Sequence, residues 1–385
     1  MPRAQSERRS ARPRLLGAAL LTAGVLAVRE LARPRPGERA ELVDWDAVRA
    51  RALRASGDTG PVRVVLDAAD LGHRYDTMAA ELRPWLAEAL SEDLPTEPFP
   101  NFTVLDRRGW IEINLELFRG LADPVLKVQE MIPASRLTDL GRRGVSTYLG
   151  VLLGYLSRRV LGQYDPVLLA PGIAGPSALY LVEPNIEAWE RNASVSGDPL
   201  RRWLVLHEVT HAWEFEAHPW LRDHLNGLIR ELLAHRLLAE DQPGRVEVLR
   251  ALTVGARSQW QALTQIQAVM SLLEGFSNLI MRRVGRAHMP DYDAIDAEFN
   301  RRSGSRSLVE RAFHRLTGLE LKMQQYVQGE RFCDAVIAAG GMETLRRVWA
   351  GSEALPTLAE IRDPERWLSR ITISHQRGIN SATMR

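Results

Sequence analysis

The sequence predicts a mainly α-helical chain that also carries a small β-sheet, an α+β arrangement in which helix outweighs strand. Most segments place apolar residues at helical spacing, and only one short run is convincing as a strand. The 385 residues are 45% hydrophobic and 25% charged, which is typical of a globular protein. A net charge of +2 gives no reason to expect a nucleic acid as partner.

The first 40 residues differ in character from the rest. Residues 1–14 carry five Arg and one Glu, and the next fourteen, Leu15–Val28, contain no charge. This run is shorter than the about 20 residues of a membrane helix. It fits the apolar part of a signal peptide, but no clear cleavage site follows. We therefore expect membrane association or export through this segment, the alternative being a frayed start to a cytoplasmic protein.

Residues 32–41 are rich in Pro and charge, so they predict a linker between residues 1–40 and a folded domain over 41–385. The domain opens with a helix after Asp44, a candidate N-cap. A second helix reaches Leu90 and is kinked or broken at Pro84. Pro95–Phe102 is a loop, and a short strand and a helix start follow it. These elements form a helical part over about 41–135.

A metal-binding core is expected over about 136–345, with C-terminal helices over about 346–385. Gly144–Tyr164 is strongly apolar and predicts a helix at the centre of the core. Leu179–Val182 is the best strand, ended by Pro184. We expect an extended peptide to pair with this strand at an open edge. Cys333, the single cysteine, is expected to be a packing residue in a helix, so neither a disulfide within the chain nor a Cys-based zinc site can form.

The stretch "LHEVTHAWEFEAHPWL" contains the pattern H-E-x-x-H at His207, Glu208 and His211. Asp198-Pro199 predicts the start of a helix, with Asp198 as N-cap, and Pro219 predicts its end near His218. The two histidines then lie four residues apart on one helix face, where both ring nitrogens can reach one zinc ion. Glu208 lies one step around the helix and can reach a water molecule at the metal.

The third ligand decides the kind of metal site. The extended pattern H-E-x-x-H-x-x-G-x-x-H needs Gly and His where this chain has Glu214 and Ala217, so it is rejected. Glu214 is expected to face solvent. Glu274 is the only acidic residue between Glu247 and Asp291 and lies in an apolar helical stretch, where a carboxylate is costly unless it is paired or binds a metal. It is therefore the predicted third ligand, or else a partner of a nearby arginine.

Asn278 lies one turn after Glu274, on the same helix face. Its amide oxygen is expected to accept a hydrogen bond from a ligand imidazole, which fixes the ring.

These residues belong to longer segments that resemble a known protein family. The sequence resembles the bacterial DUF2342 (Zincin_2) family of zinc-dependent metalloproteases, also labelled as associated with coenzyme F420 biosynthesis. The resemblance extends over nearly all of the chain after the N-terminus, through "DRRGWIEINLELF", "LGYLSRRVLGQYDP", "HEVTHAWEFEAHPWLRDHL", "VMSLLEGFSNLIM" and "KMQQYVQGERFCDAV". It implies a helical zincin-like metallohydrolase fold with His207, His211 and Glu274 as ligands. The family pattern after the ligand Glu is E-G-H-A-D, but this chain has Phe276 in place of the His and Asn278 in place of the Asp. These differences put activity, rather than zinc binding, in doubt.

The expected activity is hydrolysis of an amide bond in a peptide by a gluzincin-type metallopeptidase with a Zn²⁺ cofactor. Glu208 would take a proton from the attacking water and pass it to the leaving amine. Tyr326 and His288 are candidate donors to the oxyanion, and His224 is a candidate to line the site. Two alternatives remain open: a catalytically impaired zincin-like binding or scaffold protein, and a zinc amidohydrolase that acts on a small molecule.

Overall fold

The structure is a computed structural model that describes residues 33–38, 41–57, 68–95, 99–129, 134–165, 178–195, 197–233, 245–304 and 319–372. The apolar segment Leu15–Val28 lies outside the described residues. The prediction of a mainly helical α+β fold is confirmed. Of the helices in the described ranges, none is long and apolar enough to cross a lipid bilayer.

The first half of the described chain contains all the strands. In order, its elements are α1 (Trp45–Ala55), α2 (Ala68–Leu90), β1 (Phe102–Leu105), α3 (Arg107–Gln129), α4 (Arg136–Ser157), β2 (Gly162–Asp165), β3 (Ala178–Val182) and α5 (Glu183–Glu190).

The second half is helical throughout. Its elements are α6 (Asp198–Glu216), α7 (Trp220–Leu233), α8 (Arg245–His288), α9 (Tyr292–Gly304), α10 (Leu319–Arg346), a 3-10 turn (Arg347–Trp349) and α11 (Leu358–Arg362). Gly340 and Gly341 interrupt the helical geometry of α10 near its end.

The early helices begin and end for reasons that the sequence contains. Asp44 caps α1 as predicted, since its side chain accepts a hydrogen bond from the Ala47 N–H at 2.9 Å. By contrast, α2 continues past Pro84 to Leu90, so of the two predicted alternatives the break is wrong, and a kink at Pro84 stays a prediction. The predicted strand and helix after the proline-rich loop are confirmed as β1 and α3.

The three strands form one mixed sheet in the order β1-β3-β2. β1 runs parallel to β3 with Phe102 opposite Leu179, and β2 runs antiparallel with Gly162 opposite Leu181. The predicted strand is thus the central strand, paired on both sides. It has no open edge for a peptide, so that expectation is wrong, and the edges of the described sheet belong to β1 and β2.

The apolar segment Gly144–Tyr164 differs most from its prediction. Its helical part ends at Ser157, and Gly162–Asp165 is the strand β2. The helix also does not lie at the centre of the core. It packs on α1 in a small second cluster with Val48, Ala52 and Trp110, and several apolar side chains of α4 remain exposed.

The main core surrounds α6 and the middle of α8. Trp213 of α6 and Phe276 of α8 are fully buried in it, together with Phe332, Cys333 and Val336 of α10. The packing role predicted for Cys333 agrees with this position. Gly275 of α8 and Gly329 of α10 lie where a side chain on either residue would overlap the other helix, so the two backbones touch. This contact holds α8, and with it Glu274, in place.

Candidate metal centre

The helix that carries the two histidines is buried around most of its circumference. Its N-cap is Gly197, whose φ of +77° suits glycine, and Asp198 and Pro199 lie in the first turn. The cap is therefore one residue earlier than predicted. The helix ends at Glu216, before Pro219. Because apolar residues flank the motif on both sides, packing fixes the direction in which the two imidazoles point.

His207, His211 and Glu274 converge on one point. The two Nε2 atoms are 3.3 Å apart. Glu274 Oε2 lies 3.7 Å from His211 Nε2 and 4.0 Å from His207 Nε2. Donors about 2.0–2.1 Å from a tetrahedral zinc ion are separated by roughly 3.3 Å, so small movements would bring this triangle to that size. Within the described residues, these three side chains form a group that could hold a metal ion.

Both histidines are held through their second ring nitrogen. His211 Nδ1 lies 2.8 Å from Glu214 Oε2, and His207 Nδ1 lies 2.9 Å from the Ser277 hydroxyl and 3.2 Å from Met281 Sδ. The contacts at Nδ1 leave each Nε2 directed at the common point, which is how ligand histidines are usually oriented.

Two expectations about this support are wrong. Glu214 does not face solvent, because its exposed fraction is 0%. Asn278 does not orient a ligand ring: among the described residues it makes no hydrogen bond to either imidazole, and both Nδ1 atoms are already engaged. One residue along the helix, Ser277 takes the role that was predicted for Asn278.

Glu208 lies beside the two histidines and against the edge of the sheet. It is 4% exposed, and the backbone N–H of Tyr164 in β2 donates to its carboxylate. A side chain at Gly162 would overlap the Glu208 carboxyl group, so glycine allows the strand to approach this closely. Burial raises the pKa of Glu208 to about 7, and the charge of Glu274 acts in the same direction, while His211 opposes them.

The two imidazoles respond differently to their surroundings. Burial, followed by the nearby charge of His211, lowers the pKa of His207 to about 4, which leaves its ring neutral near pH 7. Burial also lowers the pKa of His211, but contacts with Glu214 and Glu274 outweigh it and hold this pKa well above its usual range. The carboxylates of Glu214 and Glu274 therefore favour positive charge at the centre.

The departure at Phe276 lies away from the metal-facing side of α8. Its ring stacks on Trp213 with centroids 5.5 Å apart and meets Trp349 edge-on at 5.2 Å. The residue belongs to the aromatic core behind the centre, and its side chain replaces none of the three candidate ligands.

The remaining candidates are not brought to the centre. His288 is the last residue of α8, fourteen residues or about 21 Å along the helix from Glu274. It stacks on Trp85 and lies 3.0 Å from Glu88, so its predicted role as oxyanion donor is wrong. His224 lies on α7 near the ring of Trp220, outside the group of three. Tyr326 lies in α10, but its side chain is outside the described part of the chain.

The donor set fits a metal. Two imidazole nitrogens and one carboxylate oxygen are protein ligands typical of catalytic zinc. Such a site keeps a fourth position for water or substrate. The fixed Nδ1 atoms mean that little reorganisation would be needed for binding. His207, His211 and Glu274 would hold the ion, with Glu214 and Ser277 supporting the rings.

Comparison with known proteins identifies a similar structure and a family. A crystal structure from Chloroflexus aurantiacus, described as "a putative hydrolase with a novel fold", is 36% identical in sequence and superposes with a TM-score of 0.64. The match covers 86% of this chain and 99% of that one. No curated protein matches the sequence. The sequence pattern of the zincin-like metallopeptidases matches residues 43–368, most of the chain, and the protein therefore belongs to the zincin-like metallopeptidase family.

Proposed function

We propose that this protein is a zinc-dependent peptidase of the gluzincin type, with His207, His211 and Glu274 as the zinc ligands and Glu208 as the general base. The observation that carries the proposal is the convergence of two Nε2 atoms and one carboxylate oxygen within 4.0 Å of one another, beside a buried glutamate. Membership of a metallopeptidase family and a relative described as a hydrolase support it.

Each residue has a distinct part in this proposal. A bound zinc ion would supply Lewis acidity, which polarises the substrate carbonyl and acidifies a water molecule. Glu208 accepts the proton of the attacking water and returns it to the leaving amine, a transfer worth about 10²–10⁴ in rate. Glu214 and Ser277 keep the two imidazoles oriented throughout.

The sheet offers a place for an extended peptide. β2 forms an edge of the sheet among the described residues, and its Gly162 and Tyr164 contact Glu208. The Tyr164 N–H at this edge already donates to Glu208, so a peptide that paired with β2 would take over that donor and lie directly beside the general base. Peptides often add to a sheet edge in this way, with main-chain hydrogen bonds that tolerate many side chains. This placement favours a peptide over a compact small molecule.

The positions of two residues weaken the argument for a scaffold protein. It depended on Phe276 and Asn278, the two departures from the family pattern. Phe276 packs in the aromatic core, and Asn278 contacts neither imidazole in the described part of the structure. Neither residue therefore removes a group that the proposed chemistry uses.

The test measures zinc content and hydrolysis on the full-length protein. Wild type, Glu208→Gln and Glu187→Gln are assayed for bound zinc and for cleavage of a broad library of quenched fluorescent peptides. Glu187 is a matched control because it lies on α5 in an exposed pair with Arg191. We expect about one zinc per chain in all three proteins and a loss of at least about 10²-fold in hydrolysis for Glu208→Gln alone.

Two results would count against the proposal. Stoichiometric zinc without cleavage of any peptide would reject a peptidase, and cleavage of small amides instead would indicate the amidohydrolase alternative. Hydrolysis that survives Glu208→Gln unchanged would remove the general base from the mechanism.

A further inference from the structure

In helix α4, small residues line most of the buried face and large apolar residues lie on the exposed face, the reverse of a typical amphipathic helix. Its inner face consists mostly of small residues, and Gly150 and Gly154 lie against the backbone of α1. A side chain at Gly150 would lie 2.8 Å from the carbonyl oxygen of Val48, and one at Gly154 would lie 2.5 Å from that of Ala52. The two helices therefore approach closely through their backbones. Leu153 is buried at this contact, but five other large apolar side chains of α4 point away from it.

Those large side chains form an exposed stripe on the outer face. Among the described residues, seven large hydrophobic side chains are exposed, and five of them belong to α4 with exposed fractions of 41–52%. They are Leu137, Leu140, Val145, Tyr148 and Val151. Successive residues of this set are three, five, three and three positions apart, which places all five on one side of the helix. A contiguous apolar surface of this kind is typical of a docking site.

Arginines border the stripe. Arg136 and Arg143 are exposed beside it, and Arg158 and Arg159 follow at the end of the helix. The only acidic residue of α4, Asp139, is already paired with Arg35 at 2.7 Å. An apolar line with basic margins is the pattern of helices that lie in the interface of an anionic membrane.

The first described residues of the chain contact the start of α4. The N–H of Arg35 donates to the carbonyl of Ala134, and the N–H of Ala134 donates to that of Glu38. These bonds bring the chain to the start of α4. Leu15–Val28 ends seven residues before Arg35 in the sequence. Seven residues of extended chain span at most about 25 Å. The described residues that follow Leu15–Val28 in the sequence therefore lie beside the start of α4.

We propose that the outer face of α4, from Leu137 to Val151 with its bordering arginines, docks on an anionic lipid surface. The charges decide between this occupant and two others. A cover made of the uncharged segment Leu15–Val28 would leave Arg136 and Arg143 without a partner. A second copy of the face would bring arginines close to arginines. Phospholipid headgroups complement the arginines while the acyl region receives the apolar stripe.

The test places a fluorescent probe on the stripe of the full-length protein. Cys333 is fully buried, so a cysteine introduced at Val151 can be labelled selectively with a polarity-sensitive dye. Glu343→Cys, exposed on α10, provides the control position. With vesicles of phosphatidylcholine and phosphatidylglycerol, we expect the emission to shift to the blue at Val151→Cys and not at Glu343→Cys. Vesicles of phosphatidylcholine alone should give a much smaller shift.

Substitutions separate the stripe from the N-terminal segment. We expect Leu140→Gln with Tyr148→Gln to weaken sedimentation with the anionic vesicles by about tenfold or more, because both side chains would leave the membrane. Arg136→Gln and Arg143→Gln should each weaken it about fivefold, and less at high salt. Since all four side chains are exposed, circular dichroism should remain that of the wild type.

Three outcomes would overturn the proposal. If Leu140→Gln with Tyr148→Gln binds vesicles as tightly as wild type, the N-terminal segment alone is responsible. If the Val151→Cys dye is shielded from aqueous iodide without vesicles and unchanged by them, the protein's own chain covers the stripe. If that shielding depends on protein concentration and accompanies a dimer in sedimentation, the face binds a second copy.

Discussion

The metal centre and the outer face of α4 distribute polar and apolar groups in opposite ways. At the centre, Glu208 and Glu214 are 4% and 0% exposed, although burial of a carboxylate is costly. On α4, large apolar side chains stay in contact with solvent although burial of apolar surface is favourable. Neither arrangement is what stability alone favours. The two proposals account for both arrangements, with catalysis at the centre and docking at α4.

The two regions also compensate in different ways. At the centre, the cost of buried charge is offset by hydrogen bonds to the rings and, in the proposal, by a cation. On α4, the inner face compensates for the outer one, because glycines allow close backbone packing on α1. Changes in the two regions should thus alter different quantities: metal affinity at the centre and unfolding free energy on α4.

The largest expected effect is the loss of a ligand. His207→Ala should reduce bound zinc from about one per chain to nearly none, as measured by elemental analysis after dialysis. Zinc at about 1,000 times its dissociation constant should stabilise the wild type by about 4 kcal/mol and leave the variant unaffected in thermal unfolding. His224→Ala is the control, since this imidazole lies near Trp220 on α7. A variant that keeps full zinc without His207 would contradict the proposed centre.

A smaller effect on zinc binding is expected from a change at Glu214, which contacts His211. Glu214→Gln keeps an acceptor for His211 Nδ1 and removes the charge, so zinc should bind about 10–100-fold more weakly in competition with a chelator. In urea, the metal-free variant should lose at most about 1 kcal/mol, because the contact that raises the pKa of His211 is lost while the cost of a buried carboxylate is relieved. Glu187→Gln, in an exposed pair, should change neither quantity. Equal loss of stability and affinity would indicate a structural role only.

Much of the centre was predictable because its signals are local. Spacing along one helix places His207 and His211 together, and a lone acidic residue in an apolar stretch identified Glu274. Glu214 had a usable signal too, since a residue three positions after His211 shares its face. Its burial was missed because it depends on α8 and α10, which pack over it. Ser277 gave no signal, since a serine within an apolar helix has many roles.

The fold was predictable in class and less so in pairing. Helical periodicity identified most helices, and Asp44 and Pro184 marked ends that the structure confirms. The strand β2 was missed because "GQYD" carries no alternating apolar pattern, and its pairing with β3 is a long-range event. The predicted position of α4 was wrong for a related reason: an apolar sequence predicts burial, whereas here most of the buried residues are small and five large apolar ones are exposed.

Two glycines of α4, one on each face of the helix, allow the two faces to be compared by mutation. Gly154→Ala should lower the free energy of unfolding by about 1–3 kcal/mol, because the new methyl group would overlap Ala52 and Ala55 of α1. Gly144→Ala should raise it by about 0.4–1 kcal/mol, because no atom lies within 4 Å of that position. Urea unfolding of both variants measures the difference. Similar values for the two would mean that α4 does not pack on α1 through this face.

The smallest expected effect lies at the Ser277 hydroxyl. Ser277→Ala leaves His207 Nδ1 without an oxygen partner, with Met281 Sδ still 3.2 Å away. Loss of one hydrogen bond of about 1 kcal/mol should weaken zinc binding about fivefold. Ser271→Ala is matched to it, because this buried hydroxyl on the same helix donates to the Gln267 carbonyl and contacts no candidate ligand. An equal decrease in zinc affinity for both variants would trace the effect to α8 packing, whereas a decrease for Ser277→Ala alone would assign the hydroxyl to the orientation of His207.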